Sequence, residues 1–235
     1  MTTAQTLTVD VWSDVICPWC WIGLTRFEKA LAGFEHRDRV KVVHHAYRLM
    51  PGAKPRPVRD VIAGRMNVSP SQVPAVLKQV EDVAASEGLT YRLADTSTGD
   101  TLDAHRLIKL AETKGFGHAM LVRLYRAYLS EVISVFDAES LAALAAEVGL
   151  DADEARAVIA DRAYQAEIDE DQRQLQSLGG SGVPFFVIGG KLAVSGGQPS
   201  EVFARALTQG WASLPVPPVV FNEGAVCGPD GCEAP

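Results

Sequence analysis

Two cysteines separated by two residues constrain this chain more than any other feature. Cys17 and Cys20 enclose Pro18 and Trp19. Residues 7–12 (LTVDVW) are rich in β-branched and aromatic side chains and predict a strand. Residues 18–34 carry apolar side chains at helical spacing and predict a helix. The fold must therefore place the two cysteines at the junction between this strand and the start of the helix. Their spacing allows them to close a small disulfide ring.

The start of that helix explains why the pair would be reactive. Free backbone N–H groups and the helix dipole stabilise a thiolate there, which makes Cys17 the expected nucleophile. Cys20, one turn further on, should be less exposed and act as the resolving thiol, whose attack on a mixed disulfide releases the product. Pro18 suits the first helical turn because its missing N–H is not needed there.

The order of predicted elements indicates how the chain is divided. A second strand at residues 40–47 completes a βαβ unit, which implies parallel pairing. Residues 59–178 then carry seven helical segments. Strands return at residues 183–188 and 191–194, with Gly189-Gly190 as a two-residue hairpin turn, and a helix follows at 199–207. The pattern predicts an α/β, thioredoxin-like domain (1–58 plus 179–212), a large all-helical insertion domain (59–178) and an extended tail (213–235).

Several residues predict the ends of helices within the insertion. Asp137 and Asp151 are placed as N-caps, and Gly149 lies where a C-terminal glycine belongs. Ser69-Pro70-Ser71 is predicted as the start of the helix at residues 71–87, with the proline at its first turn.

Three separated segments resemble one known family. The stretches VDVWSDVICPWCWIGLTRFEKAL, DTLDAHRLIKLAETKG and SGVPFFVIGGKLAVSGGQPSEVFARAL occur in this order. They resemble the active-site region, the helical insertion and the cis-proline region of the DsbA-like thioredoxin family, and specifically its FrnE-like branch. The resemblance covers about residues 7 to 210.

The resemblance implies further features of the site. Val183-Pro184 would be a cis peptide bond that faces the two cysteines, with Val183 in contact with the substrate. His105 would lie near the domain interface. The branch is also similar to kappa-class glutathione transferases and 2-hydroxychromene-2-carboxylate isomerases, which usually carry serine at the first active-site position. Cysteine at both positions here favours redox chemistry.

Other residues near the cysteines have two interpretations each. Asp14, three residues before Cys17, could relay protons to the thiols or cap the active-site turn. Trp19 and Trp21 flank Cys20, and either could form part of a substrate platform; core packing is the other interpretation of Trp21. His105 could support the site or be a satisfied helical histidine.

The remaining histidines are interpreted as structural or as surface residues. His44 and His45 are neighbours in a strand, point to opposite faces and are expected to be structural. His36 and His118 are expected at the surface.

A second cysteine pair lies near the end of the chain. Cys227 and Cys232 flank Gly-Pro-Asp-Gly, which predicts a tight turn. The pair could be an inert disulfide, two reduced thiols, or a redox relay that exchanges electrons with Cys17 and Cys20. A fourth possibility is a zinc site built from all four thiolates.

Composition narrows the function classes. The formal net charge is −7 and 47% of the 235 residues are hydrophobic, so no basic nucleic-acid footprint is present. We find neither a signal peptide nor an apolar stretch long enough for a membrane span, so the expected location is cytoplasmic. Thiols are kept reduced there, which favours catalytic over structural cysteines.

The predicted function is a thiol–disulfide oxidoreductase, a disulfide reductase or isomerase, that acts on protein or peptide substrates. No bound cofactor or metal is expected, and no nucleic-acid or membrane partner; glutathione is a candidate redox partner. Two alternatives stay open: a glutathione-dependent isomerase or transferase for a small aromatic substrate, and a zinc-binding protein that uses all four cysteines.

Overall fold

The computed structural model describes residues 5–215 and, as backbone only, residues 226–228 and 231–233. Its strands are β1 Leu7–Ser13, β2 Val40–Ala46, β3 Arg56–Pro57, β4 Ser97–Thr98, β5 Phe185–Ile188, β6 Leu192–Ser195, β7 Val226–Gly228 and β8 Gly231–Glu233. Its α-helices are α1 Pro18–Ala32, α2 Val58–Met66, α3 Val73–Ser86, α4 Leu102–Thr113, α5 Gly117–Arg126, α6 Ala138–Glu147, α7 Ala152–Ala160, α8 Gln165–Ser177 and α9 Ser200–Ala212.

A four-stranded sheet in the order β2-β1-β5-β6 forms the centre of the α/β unit. β1 pairs in parallel with β2 and antiparallel with β5, and β5 pairs antiparallel with β6. Residues 7–46 and 185–195 thus meet in one sheet, in the βαβ–ββα order that the sequence predicts.

The alternation of side chains in β1 assigns its two faces. Val9 and Val11 enter the main core, which also holds Phe27 of α1 and Phe203 of α9. Trp12 points to the other face, where it packs in a smaller cluster with Leu175 of α8, Phe185 and Val187. The sheet is therefore covered on both faces, as expected when parallel pairing is part of it.

Residues 59–178 form the predicted succession of seven α-helices, α2 to α8. α4 contacts α5, α6, α7 and α8, which makes it the central helix of this block. The domain boundaries drawn from the sequence remain a prediction. Among the described residues, no helix combines the length and the apolar character needed to cross a bilayer.

The predicted caps within this block are confirmed. The Asp137 carboxylate accepts a hydrogen bond from the Ser140 N–H at 2.9 Å, and that of Asp151 accepts from Asp153 and Glu154, also at 2.9 Å. Gly149 has φ +92° just after α6, a left-handed conformation that glycine adopts without a Cβ penalty.

Two local predictions are wrong. α3 begins at Val73 with Pro74 in its first turn, not at Ser71, because a proline that follows Val73 suits a first turn as well as Pro70 does. The β5–β6 connection has three residues, since Ile188 pairs with Leu192; both of its glycines still have positive φ.

The β3–β4 pair was not predicted from the sequence. Each of these strands has two residues, too few to show any periodicity.

Candidate active site

The first cysteine forms the N-terminal boundary of α1. Cys17 is the N-cap residue with extended backbone, and Pro18 occupies the first turn. The Cys17 N–H donates to the Asp14 carbonyl at 3.0 Å, which closes the turn between β1 and the helix. Both thiols are free, and Cys17 is 6% exposed against 1% for Cys20. The first thiol is thus closer to solvent, as predicted.

The loop before β5 lies directly against this helix end. The Val183-Pro184 peptide bond is cis, and the Cys17 thiol lies 3.7 Å from the Val183 carbonyl oxygen. The Pro184 carbonyl accepts from the Gly196 N–H at 2.8 Å, which ties the loop to the residue after β6. Two segments 166 positions apart are brought together as the resemblance implies.

Two glycines permit this close approach. A Cβ at Gly23 of α1 would lie 3.0 Å from Pro184 Cγ and 3.2 Å from Gly197 Cα. A Cβ at Gly197 would lie 3.2 Å from the Trp19 carbonyl oxygen. A side chain at Gly23 would push the cis-proline loop away from α1, and one at Gly197 would push the segment after β6 away from the same helix. Neither glycine was predicted from the sequence as part of the site, because their contacts join distant segments.

The second cysteine is held in its protonated form. Burial raises the pKa of the Cys20 thiol well above its ordinary value, and the neighbouring Cys17 raises it further through a hydrogen bond and its charge. A backbone hydrogen bond from Asp14 acts in the opposite direction but is the smaller effect. A free Cys20 therefore keeps its proton until a reaction removes it.

Asp14 and His105 lie together behind the cysteines, and both are buried. The Asp14 carboxylate accepts from the Leu49 N–H at 2.8 Å and approaches the Ile16 N–H at 3.4 Å. His105 Nε2 lies 3.1 Å from the Tyr47 carbonyl oxygen and 3.6 Å from Asp14 Oδ1. Asp14 thus caps the turn and also contacts the imidazole, so the geometry is compatible with either predicted role.

Aromatic rings form one wall of the site. Trp21 is stacked between Tyr91 and Tyr125, with ring centroids 5.7 and 6.0 Å away, so the core-packing interpretation of this residue is confirmed. The Tyr91 hydroxyl donates to the Pro18 carbonyl at 2.9 Å. Burial, followed by the cysteine charges, raises the pKa of both tyrosines, so their phenols stay neutral. Nothing local in the sequence marks Tyr91, because its partners lie far away in the chain.

An apolar cavity of about 570 Å³ opens beside the cysteines. Pro18 and the 39% exposed Trp19 line it on the α1 side, which gives Trp19 the position of a substrate platform. Arg65 contributes the charged group of the lining. The opposite wall consists of aliphatic side chains from α2 and α3, namely Val61, Ile62, Val76, Leu77, Val80 and Val83.

The C-terminal cysteine pair lies mostly outside the described residues. The backbones of β7 and β8 pair antiparallel, with Cys227 opposite Cys232; the predicted turn between them falls on residues 229–230, outside the described residues. Their side chains are not described, so the relay, inert and zinc interpretations stay open. Among the described side chains, no group of three His, Cys, Asp or Glu residues is arranged to hold a metal ion.

A dithiol at a helix N-terminus, faced by a cis-proline loop on a β2-β1-β5-β6 sheet, defines a thioredoxin-fold oxidoreductase. The model of the DSBA-like thioredoxin domain matches residues 8–208. This chain therefore belongs to the DsbA-like thioredoxin family.

Three known proteins illustrate the relationship. The crystal structure of a probable DsbA oxidoreductase, SCO1869, from Streptomyces coelicolor is 45% identical, with a TM-score of 0.86 over 97% of this chain and 99% of that chain. The cytosolic disulfide reductase DsbM from Pseudomonas aeruginosa, solved with GSH, is 24% identical, with a TM-score of 0.63 over 86% of this chain and 98% of that one. YwbO of Bacillus subtilis (strain 168), described as uncharacterized, is 27% identical over 212 residues, which are 87% of this chain and 97% of YwbO.

Proposed function

We propose that this protein catalyses thiol–disulfide exchange on peptide or protein disulfides through Cys17 and Cys20. In the reductive direction the Cys17 thiolate attacks a substrate disulfide, forms a mixed disulfide and expels one substrate thiolate. Cys20 then loses its proton and attacks Cys17 Sγ, which forms the Cys17–Cys20 disulfide and expels the second substrate thiolate. Two electrons pass to the substrate, whose sulfurs take up two protons.

The contact between Cys17 and the Val183 carbonyl carries this proposal. At 3.7 Å from the thiol, the carbonyl is an acceptor next to the reacting sulfur. An extended substrate peptide could donate a backbone N–H to it, as in strand pairing. Val183 and Pro184 would then hold the substrate, and Pro18 and Trp19 would form the adjoining surface.

A comparison of two cysteine variants tests the proposal. Cys17→Ser should abolish reduction of a peptide disulfide, because the nucleophile is gone. Cys20→Ser should retain the first attack and accumulate a Cys17 mixed disulfide visible by mass spectrometry, because the resolving thiol is missing. Unimpaired turnover by Cys17→Ser would refute the proposal.

Glutathione is the proposed reductant that regenerates the dithiol, in a cytoplasmic, reducing location. The DsbM structure with GSH supports glutathione as a candidate. Glutathione should reduce the oxidised protein in a concentration-dependent manner. Alkylation of the two thiols that are released measures this reduction. If glutathione leaves the disulfide intact while a thioredoxin reduces it, the proposed reductant is wrong.

The apolar cavity favours a second candidate function. Its volume of about 570 Å³ lies within the range of pockets that bind small organic molecules, and Arg65 could pair with a carboxylate. Glutathione-dependent isomerisation of an aromatic acid therefore remains the alternative. Such an activity should survive Cys20→Ala, whereas disulfide exchange should not, so a substrate screen with this variant separates the two.

A further inference from the structure

The resolving step of the proposed exchange requires Cys20 to lose a proton inside the protein. Cys20 is 1% exposed, and burial raises the pKa of its thiol. Direct transfer to bulk water is therefore hindered. The inference below rests on the proposed function and concerns the path of that proton.

The first part of a path lies behind the cysteines. Asp14 immediately precedes the active-site turn, and its charge acts on the Cys20 thiol. Its Oδ1 is 3.6 Å from His105 Nε2 of α4. Both side chains are almost completely buried, so a proton taken by this pair needs a route outward.

A small internal cavity continues from this pair. Its volume is about 10 Å³, and its lining includes Ser13, His44, His105 and Lys109. Such a cavity has room for about one water molecule, which needs polar partners of this kind. His44 Nδ1 is buried and has no hydrogen-bond partner among the described residues, which is the observation that a bridging water would explain.

The other nitrogen of His44 leads to the surface. His44 Nε2 lies 3.3 Å from His118 Nδ1 of α5, and His118 Nε2 lies 3.2 Å from Glu28 Oε1 of α1. His118 is 55% and Glu28 43% exposed, and both line an outer cleft of about 580 Å³. The expectation that His118 is a simple surface residue is therefore incomplete.

The donor and acceptor roles of His44 and His118 follow from Glu28, the acceptor at the surface end of the path. A Glu28 carboxylate can only accept, so a neutral His118 that pairs with it through Nε2 carries its proton there and presents Nδ1 as an acceptor. His44 then donates its Nε2–H to His118 and presents Nδ1 as an acceptor towards the internal cavity. This arrangement is oriented for proton movement from the inside to the outside.

We infer that His44 relays protons between the buried Asp14–His105 pair and the surface pair His118–Glu28. The Cys20 proton enters at Asp14, while its electron pair stays on sulfur and forms the S–S bond. A proton leaves the His105 side through the cavity water to His44 Nδ1. The Nε2 proton of His44 passes to His118, and the His118 Nε2 proton passes to Glu28 and then to solvent. One proton enters, one leaves, and the reverse reaction uses the path backwards.

Burial and the neighbouring positive charges keep His44 neutral. Burial, followed by the charges of His118, His45 and Lys109, lowers its pKa to about 3. Burial also raises the pKa of Glu28, against the opposing charge of His118. The other charged groups at the outer cleft are Lys41 of β2 and Glu112 of α4. A neutral imidazole passes a proton by exchange of tautomers rather than by storing charge.

Variants at the accessible end of the path provide the test. A mixed disulfide is formed at Cys17 with a peptide thiol, and the rate of peptide release by Cys20 is measured in H₂O and D₂O. His118→Ala and Glu28→Gln should each slow release several-fold and change its solvent isotope effect and pH profile. Imidazole in the buffer should restore the rate of peptide release in His118→Ala. The first attack by Cys17 should keep its rate.

Controls separate a relay from a structural role. His36→Gln, beyond the C-terminal end of α1 and stacked on Trp211 rather than on the relay residues, should release peptide at the wild-type rate. His44→Gln tests the buried position, and its folding is checked by thermal unfolding. Wild-type release rates and isotope effects in both His118→Ala and Glu28→Gln would overturn the relay while the proposed function stands. If wild type forms no mixed disulfide at all, the proposed function fails and the relay with it.

Discussion

Cys17 occupies the N-terminal boundary of α1, whereas Cys20 lies one turn inside it. Cys17 therefore meets the helix N-terminus and the Val183 carbonyl, while Cys20 is enclosed by the core. Burial holds Cys20 protonated, so the two thiols are not equivalent before any reaction. This asymmetry assigns attack to the first and resolution to the second.

The contact between Gly23 and the cis-proline loop leads to a prediction at a single residue. Gly23→Ala places a Cβ 3.0 Å from Pro184 Cγ, so overpacking should lower the free energy of unfolding by about 1–3 kcal/mol. Displacement of the loop should also slow disulfide exchange. Urea unfolding and a peptide-disulfide assay measure the two effects.

Gly64→Ala is the matched control for this variant. Gly64 lies within α2 and an added Cβ would meet nothing within 4 Å. Because alanine is the better helix former, this change should stabilise the protein by about 0.5–1 kcal/mol. Equal behaviour of the two variants would contradict the tight contact between α1 and the loop.

Tyr91 gives a second prediction at this scale. Tyr91→Phe keeps the stacking on Trp21 but removes the hydrogen bond to the Pro18 carbonyl. The loss should cost about 0.5–1.5 kcal/mol of unfolding free energy, measured by urea unfolding. An unchanged midpoint would show that water replaces the hydroxyl at this carbonyl.

At the scale of elements, α8 is fastened to the sheet by Asp171. Its carboxylate accepts from His45 Nδ1 and from the Ala46 N–H, both at 2.8 Å, and lies 2.7 Å from Lys109 Nζ. The Trp12 indole N–H donates to the Asp171 carbonyl at 2.8 Å. His45, expected to be structural, thus joins β2 to α8, and its Nε2 lies 2.9 Å from Asp10.

This fastening predicts a pH dependence of stability. Burial alone would lower the pKa of His45, but the hydrogen bonds and charges of Asp171 and Asp10 outweigh it and raise the pKa above 6.5. For Asp171, burial is outweighed by His45 and Lys109, which lower the pKa below 3.8. The His45 contribution is complete below its ordinary pKa and is lost as pH rises through the raised value. The Asp171 contribution is lost as pH falls through the lowered value.

Stability from this pair should therefore be greatest between about pH 4 and 6.5. Urea unfolding across a pH series measures it. Asp171→Asn should reduce the decline above neutral pH that His45 causes, because Asp171 supplies the larger of its two carboxylate interactions and Asp10 keeps the other. Glu139→Gln, which breaks the exposed ion pair with Arg156, is the control and should change little. A pH profile of Asp171→Asn that matches wild type would contradict the assignment.

At the scale of the whole molecule, the hypothesis that the C-terminal cysteines form a redox relay with Cys17 and Cys20 can be tested. Thiols are counted under native conditions, before and after reduction, in wild type and in Cys227→Ser/Cys232→Ser. The redox-relay hypothesis predicts two reducible disulfides in wild type. It also predicts a changed Cys17–Cys20 redox equilibrium in the variant, because the two cysteine pairs exchange electrons. An identical equilibrium without the tail pair would leave it an inert disulfide or a pair of spare thiols. Zinc release in place of disulfide formation would favour the metal interpretation.

Much of the fold can be predicted from local sequence patterns. The β1–α1 junction, the seven helices of the insertion and the caps at Asp137 and Asp151 follow from periodicity and from hydrogen bonds within a few residues. The misplaced start of α3 and the missed β3–β4 pair are cases where the local signal is ambiguous or too short. The cis Val183-Pro184 bond was expected from family resemblance alone, since no local pattern specifies it.

The sequence by itself determined that a dithiol stands at a helix N-terminus within an α/β fold, because strand and helix periods and the CxxC spacing are local properties. Only the tertiary structure decided that Gly23 packs against Pro184 and that Tyr91 donates to the Pro18 carbonyl. The same holds for the contacts of His118 with His44 and with Glu28. Each of these contacts joins residues distant in the chain, and packing of the completed fold brings them together. No spacing along the chain encodes such a distance.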